Sequence, residues 1–435
     1  MFSPLLHRDY KKLFAAQVAS LIGTGLATIA LSLLAHDLAG AQAGEIIAIV
    51  LVIKMTSYIG LAPLASALAA HVPRKMLLVS LDLVRAGVAA LLPFVAEAWQ
   101  IYALMAVLYC AAAAFTPAFQ AMIPDILTDE EEYTKALSLS RLASDLESVI
   151  SPILAAALLA FVAYNDLFAG TALGFLVSGV LVAVVSIPAA AKLQRPFINR
   201  LGAGLNLFLK TPRLRGLLAL SLATASGGAM VFVNTVILVQ TKFGMGEQAT
   251  AMALGAFGVG SIAAALSLAA LIKRAGDRRI MSVSALIMAA GLFVGPWVAT
   301  TYPALLALWL ALGASYSLTL TPVGRVLRRS SHAEDRPALF AAHFALSHAC
   351  WLIAYPAAGV VSATYGIGAA FSTLAIMCAT GVAGLSALWP SDDPALIAHG
   401  HDELPADHPH LRSDGDQHAH VYLIDDLHRN WPKVR

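Results

Sequence analysis

An all-α membrane protein, with twelve helices in two pseudo-symmetric six-helix halves, is the fold that three observations in the sequence predict. The 435 residues are 59% hydrophobic and only 12% charged, a composition too apolar for a soluble domain with an ordinary charged surface. Twelve apolar runs reach about 20 residues, the length that crosses a hydrocarbon core of roughly 30 Å. The halves also repeat: an offset of 205 residues aligns Thr116-Pro117 with Thr321-Pro322, and Arg74-Lys75-Met76-Leu77 has a counterpart in Arg278-Arg279-Ile280-Met281.

In order, the runs cover 13–35, 46–70, 76–96, 100–123, 138–161, 168–190, 214–239, 249–273, 280–300, 303–323, 337–362 and 367–389. This divides the chain into a first half at 1–190, a linker at 191–213, a second half at 214–389 and a tail at 390–435. Basic residues cluster at alternate connections, among them Arg8, Lys11 and Lys12, Arg74 and Lys75, the linker, Lys273 to Arg279, and Arg325 to Arg336. The opposite connections carry Lys242 as their only basic residue. The positive-inside rule therefore puts the basic loops, both termini and the tail in the cytoplasm, with the spans in a cell inner membrane.

Several classes are excluded. The amino terminus runs from a short basic stretch into a full-length span, too long for the apolar region of a cleavable signal. Cys110, Cys350 and Cys378 all fall within spans, so no disulfide framework is expected. No phosphate-cradling loop, nucleophile elbow or ordered triad is present, which argues against an ATP-driven pump and against an enzyme. A net charge of +2 names no partner, so no nucleic acid is expected, and the expected state is a monomer in the bilayer.

The tail carries three HxH pairs, His399/His401, His408/His410 and His418/His420, followed by His428, among Asp402, Glu403, Asp407, Asp414 and Asp416. Seven of the 13 histidines thus lie in the last 37 residues. Imidazole suits nickel, copper, zinc and cobalt, and two imidazoles two residues apart converge on one ion when the backbone is extended or turned. The tail is otherwise too polar to bury a core and is expected to be disordered without metal or a partner.

Ionisable groups inside a membrane are costly, so each is a functional candidate. In span eleven His343, Ser347 and Cys350 share one helical face, and His348 lies about 140° from His343. Both histidines can border a cavity and combine with ligands from other spans, or one lines it while the other packs against a neighbour. In span five Arg141 and Asp145, four apart, share a face and predict an ion pair, while Glu147 points away. Proton coupling needs a carboxylate in an apolar site that loads and releases a proton near neutral pH; Asp145 and Glu147 are both candidates, against the alternative that they sit in water at the span's end. Lys54 is the basic residue deep in span two. It either repels a cation, alternates with metal in neutralising an acid such as Asp145, or forms a structural salt bridge. The stripe Gln17, Ser20, Thr24, Thr28 and Ser32 in span one fits helix packing or a cavity wall.

Twelve spans in a duplicated pair joined by a basic linker, with short basic loops after spans two and eight, resemble the major facilitator superfamily over essentially residues 1–390. The loop after span two, Ala69-Ala70-His71-Val72-Pro73-Arg74-Lys75, lacks that family's Gly and Asp, whereas Asp277 stands in the second copy. The resemblance implies that gating charges are Arg74, Lys75, Asp82, Arg85, Asp277, Arg278 and Arg279. Ser148-Val149-Ile150-Ser151-Pro152 stands where antiporters of the superfamily carry a glycine-rich motif. A narrower likeness lies in Thr321-Pro322-Val323-Gly324-Arg325, Phe344 to Trp351 and the HxH tail ending Ile424-Asp425-Asp426-Leu427-His428 and Trp431-Pro432. These look like the nickel-resistance exporters of the superfamily. They imply efflux of nickel, and of cobalt, by proton antiport, with metal as substrate and no cofactor required. The alternative is a proton-coupled exporter of a drug-like or siderophore-like solute with a regulatory metal-binding tail; a large aromatic-lined cavity would favour it.

Overall fold

The computed structural model describes residues 2–40, 43–69, 72–186, 197–393, 396–400, 417–425, 427–428 and 430–432. The first half comprises α1 (Arg8–Ala39), α2 (Ala43–Ala69), α3 (Arg74–Leu91), α4 (Ala98–Ile126), α5 (Glu130–Leu159) and α6 (Asp166–Ala183). A linker helix, α7 (Phe197–Lys210), precedes α8 (Pro212–Val236), α9 (Glu247–Val298), α10 (Tyr302–Leu320), α11 (Val323–Arg329), α12 (Arg336–Tyr365) and α13 (Ile367–Leu388).

Ten of these stretches are long and apolar enough to cross a membrane. One of the ten is α9, which is really two helices meeting at Gly276, where φ is 73° and ψ is 162°. That left-handed backbone suits glycine alone, so the two predicted spans turn back on each other there. The remaining span is α5, 30 residues long. Its start is built for polarity: the Asp129 carboxylate accepts from the Glu132 amide at 2.8 Å, and Glu130, Glu131 and Glu132 face the positive end of the helix dipole. The helix therefore begins eight residues before the predicted limit. Twelve spans result, as the sequence predicts.

Within the bilayer, helices approach through small residues rather than through a hydrophobic stripe. A Cβ on Gly260 of α9 would lie 2.0 Å from the Leu310 carbonyl oxygen of α10, and one on Gly313 of α10 would lie 1.9 Å from the Phe257 oxygen. Each backbone seats against the other's glycine, and the two helices share their closest packing there.

The disordered tail is corrected in part. His401, His408 and His410, with Asp402, Glu403, Asp407, Asp414 and Asp416, lie outside the described residues. The described segments are folded onto the second half. β1 (Ile397–Gly400) and β2 (Gln417–His420) pair antiparallel, with His399 in register with His418. Ile397, Tyr422 and Ile424 are buried in the core of the second half. Asp393 receives Arg213 at 3.2 Å and Trp389 Nε1 at 3.0 Å, and it also pairs with Arg329. The Arg213 guanidinium lies 5.1 Å from the Trp431 ring. Ile397, Tyr422, Ile424 and Trp431 are the apolar side chains that hold the described part of the tail on the second half.

His428, assigned to metal from sequence, is instead a structural residue. It is buried, its Nδ1 lies 2.9 Å from Asp425 Oδ1, and its ring meets Tyr422 edge-on at 4.7 Å. Asp425 also reaches His332 Nε2 at 3.5 Å, joining the tail to the loop between α11 and α12. Burial opposes ionisation of Asp425, but hydrogen bonds from His332 and from the His428 backbone outweigh it and hold the carboxyl well below its usual range. The hydrogen bond to Asp425 raises His332 above the ordinary imidazole value. A raised folded-state value stabilises docking at low pH and loses its effect as pH rises through it; the depressed carboxyl acts above about 4 and is lost only in stronger acid. Docking should thus be firmest from about pH 4 to about 6.5 and weaker toward pH 9. Protease cleavage of the tail should be severalfold faster at pH 9 than at pH 6, with His332→Ala removing the difference; equal rates in the unaltered protein would refute this linkage.

Candidate functional site

Between the two halves lies a cavity of about 410 Å³. Its walls include Gln17 of α1, Ser140, Arg141 and Ser144 of α5, Thr224 and Phe232 of α8, Tyr316 of α10, and His343, Phe344, Ser347, His348, Trp351 and Tyr355 of α12. Both histidines of span eleven border it, although they point about 140° apart, because the cavity wraps the stripe centred on residues 344, 348, 351 and 355. Cys350 falls at the edge of that stripe. It is buried in the second half's core and does not line the cavity, which corrects its placement beside His343 and Ser347.

His348 is held in a defined orientation. Its Nδ1 lies 2.7 Å from the Phe344 carbonyl oxygen, and its ring meets Tyr58 of α2 edge-on at 4.8 Å. A carbonyl only accepts, so Nδ1 carries the proton and, in the neutral ring, Nε2 keeps its lone pair. The His343 ring stacks on Phe208 of α7 at 6.0 Å, and its buried Nδ1 has no hydrogen-bond partner among the described residues. Ser347 donates to the Phe344 oxygen at 3.0 Å. Among the described residues no group of three or more His, Cys, Asp or Glu converges as a ready-made metal cage.

Four of the intramembrane charges fall into two separate sets. Arg141 and Asp145 make the predicted ion pair, and Ser261 of α9 joins them from the other half, donating to Asp145 Oδ2 at 2.6 Å. Lys54 is in electrostatic reach of Glu147. The Lys54 ammonium stands 5.8 Å from the rings of both Tyr58 and Tyr109. Glu147 lies against α1, where a Cβ on Gly25 would come 2.6 Å from Oε1. In the stripe of α1, Thr24, Thr28 and Ser32 bond back to their own helix, while Gln17 accepts from Ser140 at 2.9 Å across the cavity wall.

At the basic end the halves are clamped together. Asp125 of α4 receives Arg74 of its own half at 2.5 Å and Arg336 of the other half. Arg74 also reaches the Ala333 oxygen at 3.4 Å. Arg325 joins Asp277 at 2.8 Å to Glu130 across the seam, Lys273 meets Glu131 at 2.6 Å, and Arg328 donates to the Thr128 oxygen. Of the gating charges inferred from sequence, Arg74 and Asp277 belong to this clamp. Asp82 and Arg85 do not: they pair inside the first half, with the guanidinium 3.9 Å from the Phe115 ring and 4.5 Å from Phe175. Arg278 bonds the Trp389 oxygen at 3.0 Å, and among the described residues Lys75 and Arg279 make no ion pair. Sequence reasoning missed Asp125, Glu130, Glu131 and Ser261. A signal for the first three existed: repeat-equivalent loops are acidic in one half and basic in the other.

Comparison with known proteins decides the family. The model of the Major Facilitator Superfamily matches residues 13–250 and 216–409. The chain belongs to the Major Facilitator Superfamily. As a superfamily member it is a multi-pass membrane transporter rather than an enzyme. A macrolide efflux protein A of Streptococcus pyogenes is 26% identical over 187 residues, covering 40% of this chain. The matched part spans 44% of that relative, less than half its length. Solved structures share the fold at low identity. The human organic anion transporter MFSD10 superposes with a TM-score of 0.72 at 13% identity, over 87% of this chain and 99% of that one. A bacterial homologue of the iron transporter ferroportin, in an outward-facing state, gives 0.72 at 14%, over 87% and 100%. The Escherichia coli fucose:proton symporter gives 0.71 at 14%, over 88% and 98%.

Proposed function

We propose that this superfamily member is a secondary active exporter of a divalent transition metal, nickel and also cobalt, driven by proton entry across a cell inner membrane. The observation that carries the reading is the pair His343 and His348 on the cavity wall between the halves, one offering a free Nε2 lone pair and the other an unpartnered buried Nδ1. Such neutral nitrogens bind borderline-soft dications, with cavity hydroxyls and water completing the shell. With the basic end in the cytoplasm, the clamp closes the inner mouth, so this state opens outward and the tail meets cytoplasmic metal. Asp145, ion-paired and facing the opposite half, is the proton-coupling group. Support for a metal cargo on this fold comes from the bacterial homologue of the iron transporter ferroportin.

A second reading has its own observation. Phe119, Phe232, Tyr316, Phe344, Trp351 and Tyr355 make the cavity strongly aromatic, which suits an organic solute, and one relative is a macrolide efflux protein. The two separate in vesicles of purified protein loaded with nickel, cobalt or a fluorescent macrolide, with and without a pH gradient. Gradient-driven metal movement supports the first reading. Macrolide movement with no metal flux from folded protein moves the assignment to the second.

A further inference from the structure

Proton coupling requires that protonation of one carboxylate change how the halves touch. An ion pair within α5 alone cannot do that, since Arg141 and Asp145 move together as one helix. Ser261 supplies the missing contact. It is fully buried in α9, and its Oγ lies 3.1 Å from Arg141 Nε and 2.6 Å from Asp145 Oδ2. The donors are fixed by chemistry: guanidinium has only protons to give and an ionised carboxylate only lone pairs, so Nε–H donates to Oγ and the hydroxyl passes its single proton to Asp145. The other titratable groups facing Asp145 are Arg141 on its own helix and Tyr316 of α10, whose ring lies 4.9 Å from the guanidinium.

Other serines of the second half use their hydroxyls locally. Ser221, Ser226 and Ser282 each spend the hydroxyl proton on the carbonyl four residues back in their own helix, at 2.9, 2.8 and 2.7 Å, as serines in apolar helices commonly do. Ser261 directs its proton across the seam instead. We propose that Ser261 is the positioning residue that ties the charge state of Asp145 to closure of the two halves. Ionised Asp145 holds Arg141 and the Ser261 hydroxyl together. A proton entering Asp145 cancels the charge that both partners were bound to, weakens the hydrogen bond that Ser261 donates from α9, and loosens this contact between α5 and the second half. The proposal rests on Asp145 as the proton-coupled group of the antiport reading.

The test uses the full chain in vesicles with one spin label on each half at the basic end, so that conformation is read without assuming a substrate. The separation of the labels is followed from pH 4 to 9 in the unaltered protein and in Ser261→Ala, Ser261→Thr and Asp145→Asn. Expected is a pH-dependent separation that Asp145→Asn abolishes. Ser261→Ala should move its midpoint upward by about one pH unit, because the ionised form has lost a donor, and Ser261→Thr, which keeps the hydroxyl, should restore it. An unmoved midpoint in Ser261→Ala, with Asp145→Asn flat, overturns the role of Ser261 while leaving Asp145 in place. Full pH dependence in Asp145→Asn overturns the coupling role of Asp145 itself.

Discussion

Asp125→Asn is expected to unclamp the basic end of the bundle. Asp125 is the one carboxylate shared by Arg74 and Arg336, and the three side chains keep only 13%, 16% and 10% of their surface exposed. An amide of the same shape leaves two buried guanidinium groups facing each other without a counter-charge. Removing one partner of a buried pair costs about 3–5 kcal/mol, and the residual exposure here points to the lower end. About 3 kcal/mol shifts a two-state ratio by roughly 150-fold, enough to reverse which conformation dominates. Distances between labels on the two halves should lengthen at the basic end and shorten at the opposite end. Lys273→Ala is the contrast: that ion pair with Glu131 is exposed, and surface pairs contribute about 0–1 kcal/mol. A closed basic end in Asp125→Asn, or equal effects of the two substitutions, would show that the clamp is not electrostatic.

The clamp also marks where reading the sequence stops. Spans and internal repeat were legible because membrane length and duplication leave one-dimensional signatures. Facing was not. Lipid is as apolar as a packed interior, so α12 shows no polar stripe to separate the wall holding His348 and Trp351 from the core position of Cys350. Arg141 and Asp145 were legible as a pair because they are four residues apart on one helix. Asp125 and Arg336, in different halves, carry no local signal, and only the opposite charges of repeat-equivalent loops point to their meeting. The docked tail was misread for a related reason. Histidine, aspartate and proline dominate its composition, yet Tyr422, Ile424 and Trp431 anchor the described part on Arg213 and the second-half core.

Replacing both cavity histidines, as His343→Ala with His348→Gln, should have the largest effect on metal transport. The orientation of His348 is fixed by its bond to the Phe344 oxygen, and glutamine keeps a donor for that carbonyl while losing the Nε2 lone pair. Loss of partners that only orient a metal ligand already costs about 10–100-fold in affinity, so loss of two ligands should lower nickel flux by at least that much. Cys350→Ser, buried in the second-half core, should leave nickel flux unchanged. Trp351→Ala separates the readings, because Trp351 stands on the cavity wall, stacked on Phe232 at 6.1 Å and tilted against Tyr355 at 4.9 Å, where an organic ring would lie. A metal carrier should lose flux in the double histidine variant and keep most of it in Trp351→Ala. An organic-solute carrier should show the reverse, because the aromatic wall would then supply binding area while the imidazoles only border it. Nickel flux that survives loss of both imidazoles would remove the observation on which the metal reading stands, and the histidines would then be polar groups accommodated at a seam built for something larger.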